Sequence, residues 1–215
     1  RPEVAEIGNK PWVYIGTGRL LGSTDLADTQ VQSVYAFKDE LTTPTPATDP
    51  VYADLRDSLK EMTMTQSTVS ETHGGVTKTV KIRTIRCTDR CPKTAGWVVD
   101  LPESKERVNV DVKLQLGTLT FVSNVPSTSV CTPGGDSWIN YLNFRTGEAI
   151  ATSAHGAVSR SLGSTLSTGS EVLRIGDSTK VISNPDDPNP PAAEDLPVDV
   201  PPPAGKRVSW REVLD

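Results

Sequence analysis

The chain has 215 residues, 35% hydrophobic and 5% aromatic, with 16 glycines and 17 prolines; that length suits one large domain or two small ones, with a lean core and many turns. A net charge of −5 and a pI of about 5.1 argue against the basic face that nucleic-acid binding needs, and no run approaches the roughly 20 apolar residues of a membrane-spanning helix. The sequence opens on Arg1-Pro2 without Met or signal peptide. It is expected to be a C-terminal or excised part of a longer protein, so the missing signal says nothing against export.

The first predicted strand, 12–16, ends in Gly16-Thr-Gly18-Arg-Leu-Leu-Gly22, the kind of turn that cradles a dinucleotide pyrophosphate. Such a site needs a crossover helix whose N-terminus faces the phosphates. Here "STDLADTQ" leads to a second strand, 33–37, so the glycines read as turn chemistry. Asp25, Asp28, Asp39 and Glu40 lack the alternating oxygen pattern of a calcium loop and read as solvated loop acids.

One helix is expected over 50–62, where Val51, Leu55, Leu59 and Met62 fall at helical spacing behind Asp49-Pro50. Residues 63–76 read as loop or strand entry. A strand over 77–86 follows, with Lys81 and Arg83 assigned to its wet face. "CTDRCPKT" places Cys87 and Cys91 four apart. Only His73 and His155 could join them, neither at ligand spacing, which argues against zinc. A local Cys87–Cys91 disulfide suits an oxidising compartment, and pairings with Cys131 or a fully reduced state remain open.

Further strands are predicted at 96–101, 107–114 (Val108, Val110, Val112 and Leu114 alternate), 118–123 and 137–144. Two shorter runs, 171–175 and 180–183, read as a hairpin. "SAHGAVSRS" and "IGDST" hold Ser153, His155, Asp177 and Ser178 but no nucleophile elbow, so catalysis by them is not expected. Trp12, Trp97 and Trp138 sit in or beside strands and read as core.

From Asn184 the composition becomes acidic and proline-rich, reading as an extended linker. "NPDDPNP" lacks the spacing of a calcium loop. "AGKRVSWREVLD" then regains apolar residues, and Trp210 and Val213 are the candidate docking anchors of a terminal clasp. At an offset of 106 residues (119 − 13), Val13-Tyr14-Ile15 falls on Leu119-Thr120-Phe121, and Val34-Tyr35-Ala36 on Asn140-Tyr141-Leu142. This echo suggests repeated blades, each roughly 40 to 50 residues in a β-propeller. The predicted fold is therefore all-β: partial or modified propeller-like antiparallel sheets, one short helix and an extended proline-rich C-terminal arm. The predicted divisions are 1–183 for the domain, 184–205 for the linker and 206–215 for the clasp.

Three separated stretches together resemble a known family. "WVYIGTGRLLGSTDLADTQVQSVYAFKDE", "GWVVDLPESKERVNVDVKLQLGTLTFVSNVPSTSVCTPGGDSWINYLNFRTG" and the terminal "RVSWREVLD" are similar, in order, to the C-terminal end of the PilY family. These are the PilC/PilY-type assembly and tip-adhesin proteins of type IV pili in Gram-negative bacteria. The resemblance implies a β-propeller-like domain of an exported protein, at the pilus tip or cell surface. It implies a non-enzymatic role in pilus biogenesis, adhesion and twitching motility, with minor pilins, the tip complex and a host or abiotic surface as partners. Some members bind calcium through an Asp-x-Asn-x-Asp-Gly loop. This sequence holds no such loop, so no cofactor or metal site is carried over, and any calcium belongs elsewhere in the parent protein. The Cys87–Cys91 segment has no counterpart in the family pattern, and an unclosed propeller edge would invite pairing with other chains. The alternative is a propeller-type enzyme, either a quinoprotein-like dehydrogenase or a Ser/His hydrolase.

Overall fold

The chain starts as a hairpin. Strands β1 (Glu3–Ile7) and β2 (Lys10–Gly16) pair through Ile7 and Lys10, and Gly8 and Asn9 between them both have positive φ. That is the two-residue turn whose twist matches paired strands. The computed structural model describes residues 1–40, 55–73, 75–127, 134–175, 178–185, 193–195 and 197–198. Asp49-Pro50, Cys131, most of the proline-rich segment and the clasp with Trp210 and Val213 lie outside the described residues.

A long connection containing a 3-10 turn (Ser23–Ala27) leads to β3 (Ser33–Lys38). A single helical turn, α1 (Leu55–Ser58), precedes the two longest strands, β4 (Lys60–His73) and β5 (Val76–Asp89). Then follow β6 (Gly96–Asp100), β7 (Lys113–Gln115), β8 (Thr118–Pro126), β9 (Gly135–Asn143) and β10 (Ala157–Gly163). These ten form one sheet in the order β1-β2-β3-β6-β4-β5-β10-β9-β8-β7. Every pairing is antiparallel except the short β4–β6 contact over Lys60–Met62. The edge strands β1 and β7 approach each other, so the sheet nearly closes into a barrel-like shape. Strands β11 (Ser167–Ile175), β12 (Ser178–Pro185) and β13 (Ala193–Asp195) form a second antiparallel sheet, with β11 against β7 and β8. The fold is all-β with propeller-like sheets and one short helix, as the sequence implies. Among the described residues no helix is long and apolar enough to cross a membrane.

Period-2 alternation fills the interior. Trp12, Tyr14, Val34, Ala36, Met62, Met64, Trp97, Val99, Leu119, Phe121, Leu142 and Val158 point into one buried cluster. At roughly 1.5–3 kcal/mol for each large apolar side chain buried, this cluster is the main source of stability. On the opposite face Val122, Ile139 and Tyr141 form a second cluster, against which Val110, Leu162 and Val198 pack.

Three expectations need correction. The helix over 50–62 is one turn among the described residues, fixed where Arg56 Nη2 meets Asp100 Oδ2 at 2.6 Å. From Lys60 the chain is strand, because Met62 and Met64 enter the core two residues apart and β5 offers a ladder along all of β4. The strand over 107–114 is reduced to an isolated Arg107–Asn124 bridge and the three residues of β7. Arg83, assigned to the wet face, is fully buried, whereas Lys81 is exposed.

The 106-residue echo falls on two antiparallel pairs, β2–β3 and β8–β9, whose registers differ by one residue. Tyr14 faces Ala36, whereas Thr120 faces Tyr141. A one-residue offset exchanges the faces of a strand: Tyr14 enters the core, while Thr120 lies opposite the inward Leu119 and Phe121. The two pairs share a pattern without sharing a packing.

Candidate functional site

The glycine-rich connection after β2 is built around Arg107, whose side chain is buried. Its Nη1 donates to the carbonyls of Arg19 (2.7 Å) and Asp25 (2.6 Å), Nη2 to that of Asp28 (2.9 Å), and Nε to that of Lys105 (2.9 Å). The connection must lie directly on this residue. A Cβ on Gly18 (φ +129°) would sit 2.4 Å from Arg107 Cβ, and one on Gly16 2.5 Å from Val108 Cβ. The glycines permit this close approach, and the space that a phosphate would need is filled by an arginine.

Asp25 holds the turn from within and is buried, contrary to its reading as a solvated acid. It accepts the Leu21 N–H (2.8 Å), the Gly22 N–H (3.2 Å) and the Arg19 Nε–H (3.0 Å). The Leu21 N–H, supported by Arg19 and Gly22, holds its carboxyl below the ordinary range despite the opposing effect of burial. Asp28 stays exposed and accepts the Gln30 N–H, while Glu40 lies against Lys38 and Lys10.

A polar chain runs through one end of the barrel. Ser159 Oγ donates to Asn140 Oδ1 (2.5 Å), Asn140 Nδ2 to Ser123 Oγ (3.0 Å), and Ser123 Oγ to Glu106 Oε1 (2.5 Å). Arg83 grips Glu106 in a fork, 2.6 Å and 3.0 Å, and reaches Glu103 Oε1 at 2.9 Å. Trp138 donates its indole N–H to the same Glu103 oxygen (3.0 Å), and its ring lies 3.7 Å from the Arg83 guanidinium carbon. The two glutamates come from the loop after β6. Arg83 Nε is buried and has no hydrogen-bond partner among the described residues. The charges are engaged with one another, an arrangement that specifies packing more readily than it drives chemistry.

Trp12, Trp97 and Trp138 are core residues, with Trp97 Nε1 donating to the Phe144 carbonyl at 3.1 Å. Burial pushes the Tyr14 hydroxyl well above its ordinary range, with the Arg145 charge opposing, and its oxygen has no hydrogen-bond partner among the described residues. Cys87 and Cys91 are joined by a disulfide at the end of β5. Ser153 Oγ donates to the Ala157 carbonyl at 2.5 Å, and His155 sits exposed at φ 58° in the 3-10 turn Ala154–Gly156. Asp177 lies outside the described residues. Among the described residues no group of three His, Cys, Asp or Glu is arranged to hold a metal ion.

Two surface features were not legible as sites. Among the described residues the outer half of the β4–β5 hairpin pairs only with itself: β6 leaves β4 after Met62, and β10 meets β5 only at Ile82–Thr84. Residues 65–68 and 76–79 are exposed on both faces. The second feature is a cleft of about 620 Å³ between the segment before β7 and the start of β11. Asn109, Asp111 and Lys113 form one wall, and Gly169, Ser170 and Glu171 the other.

Comparison of the chain with protein-family models, with curated proteins and with solved structures returns no match.

Proposed function

We propose that this chain is a non-enzymatic binding and assembly module working in the setting its resemblance to the PilY family implies: the tip of a type IV pilus, in contact with minor pilins and a host or abiotic surface. The observation that supports this reading is the projecting β4–β5 hairpin. An isolated two-stranded ribbon is marginal in water, and this one extends six residue pairs, roughly 20 Å, past its last barrel neighbour. Arg160 ties it down on one side through a two-pronged contact with Glu71 (2.9 Å and 2.5 Å). Among the described residues no strand covers the β4 edge from Thr63 to His73. That stretch has no proline or lysine and one carboxylate, so it lacks the devices that keep edge strands from pairing. Main-chain pairing along such an edge is a recognised mode of partner binding.

The test is a clean deletion of the sequence that encodes this chain, scored for surface pili, attachment and twitching. A second strain carries Ser67→Pro with Thr68→Lys, which blocks the β4 edge. Loss of piliation or adhesion in both strains, with reduced co-purification of minor pilins, is expected. Normal piliation and adhesion in the deletion strain would sink the reading.

A further inference from the structure

The Cys87–Cys91 bridge stands beside the one parallel junction of the large sheet. In the order of that sheet, β6 is the last of four strands (β1, β2, β3 and β6) and β4 the first of the other six. The two groups meet there through Lys60–Trp97, Glu61–Val98 and Met62–Val99. So short a seam is weak, since parallel ladders are slightly less stable per residue than antiparallel ones. On its other side β4 meets the end of β5, where the register shifts. Met62 lies opposite Cys87 and Glu61 opposite Asp89, which leaves Thr88 as an extra residue.

Arg90, inside the bridged turn, grips β4 on either side of Lys60. Its Nε donates to the Leu59 carbonyl (3.0 Å) and its Nη2 to Glu61 Oε2 (2.8 Å). Asp89 steadies the grip, accepting the Arg90 backbone N–H at 2.8 Å and its Nη1–H at 2.7 Å. Arg90 has φ 53°, a left-handed conformation that a non-glycine residue keeps only where its surroundings impose it. The bridge ties Cys91, the next residue, back to β5 and so closes the turn around Arg90. The two sulfurs differ in access: Cys87 is half-buried against the core, whereas Cys91 is exposed. Exposed bridges are the ones that exchange readily with external thiols.

We infer that Cys87–Cys91 is a site of reversible thiol–disulfide exchange with a dithiol reductant, and that the state of the bridge sets, through Arg90, how firmly β4 is seated on β6. A thiolate of the dithiol attacks Cys91 Sγ and forms a mixed disulfide, while Cys87 Sγ leaves with the electron pair and takes up a proton. The second thiol of the reductant, deprotonated, then displaces Cys91 Sγ, which also gains a proton. The dithiol ends as a disulfide and the bridge as a pair of thiols. With the turn open, Arg90 leaves the left-handed region and releases Leu59 and Glu61, so the seam opens more often while the antiparallel ladders stay paired. This inference stands on the junction alone and does not depend on the pilus reading.

The test uses the full chain carrying Cys131→Ser, so that every thiol counted comes from the bridge. Dithiothreitol is added under native conditions and thiols are titrated. Amide exchange is followed at 60–62 and 97–99, with the β8–β9 ladder as the measure of whole-domain opening. Both bridge thiols should appear, and the seam amides should exchange about tenfold faster, the scale of one charge-assisted hydrogen bond. Reoxidation with oxidised glutathione should restore the slow rate. Arg90→Ala with the bridge intact should speed the seam by a similar factor, and its reduction should add little there, because the bridge acts through that arginine. Arg90→Lys, which keeps the charge near Glu61 but not the fork, should fall between. A bridge that resists dithiothreitol while the domain stays folded overturns the inference. So does a seam whose exchange is unchanged on reduction, or rises by one common factor with the β8–β9 ladder. A response to reduction as strong in Arg90→Ala as in its parent would also overturn it.

Discussion

Arg83 and Glu106 meet inside the barrel, guanidinium to carboxylate at 2.6 Å and 3.0 Å, with neither side chain reaching solvent. One comes from a strand that reads as half-wet, the other from a loop rich in charge. Their pairing ties the loop after β6 to β5.

Removing one partner strands the other charge in a low-dielectric interior, at a cost of about 3–5 kcal/mol. Arg83→Met and Glu106→Leu should each lose that much in urea unfolding. The double variant should lose clearly less than the sum, because the uncompensated charge is then gone. Additive losses would mean that the two groups do not act as a pair.

Arg107→Ala deprives four carbonyls of their donor. At about 1–3 kcal/mol for each polar group left unsatisfied, reduced wherever water can enter, a loss of at least about 3 kcal/mol is expected. Arg107→Lys should fall in between, since an ammonium cannot reproduce the fork. Gly18→Ala should be destabilising as well, through its contact with Arg107 Cβ. Thermal melts of the three variants check the order.

Asp25 gives the connection a pH dependence of defined sign. Its carboxyl titrates lower in the folded chain than in the unfolded one, where about 3.9 is ordinary. The stability it contributes is therefore present above about pH 4 and is lost as pH falls through the folded value. Unfolding measured from pH 6 down to pH 2 should show a shallower acid decline in Asp25→Asn than in the wild type. An unchanged slope would remove Asp25 as a contributor.

The Cys87–Cys91 bridge closes a short loop at the end of β5. Chain entropy for so small a loop corresponds to about 2 kcal/mol. Reduction, or Cys87→Ser with Cys91→Ser, should lower stability by about that amount and leave the β-type circular dichroism unchanged. Collapse of the β signal would show that the bridge organises more than its own turn.

Much of the architecture was legible along the chain. Strand signals located β2, β3, β5, β6, β8 and β9, and turn residues located the β11–β12 hairpin, whereas most of β4 read as loop or strand entry and β10 gave no strand signal. The Gly8-Asn9 pair is a further readable signal, a two-residue turn between Ala5-Ile7 and Trp12-Tyr14 that joins the first hairpin. The helix at 50–62 was misread because Leu55, Leu59 and Met62 satisfy a helical stripe, while Met62 and Met64 satisfy a strand equally well. A ladder partner 19 residues downstream decided between them, as Thr65 lies opposite Thr84.

The candidate sites were legible only in part. The absence of a crossover helix told against a nucleotide loop, but nothing local announced that Arg107, 82 residues beyond Asp25, would fill that loop. Nor did "LPESKER" mark Glu106 as buried, since a charge run ordinarily describes a solvated surface.

What the sequence determined by itself is the all-β class, the turn chemistry and the spacing of the core residues, all of which depend on neighbours within a few positions. The tertiary structure alone decided which charged side chains go inside, which strand edges stay bare, and how the two halves of the 106-residue echo are registered. Those outcomes depend on burial and on partners brought from distant parts of the chain, and a buried arginine is tolerated only where its carboxylates arrive with it.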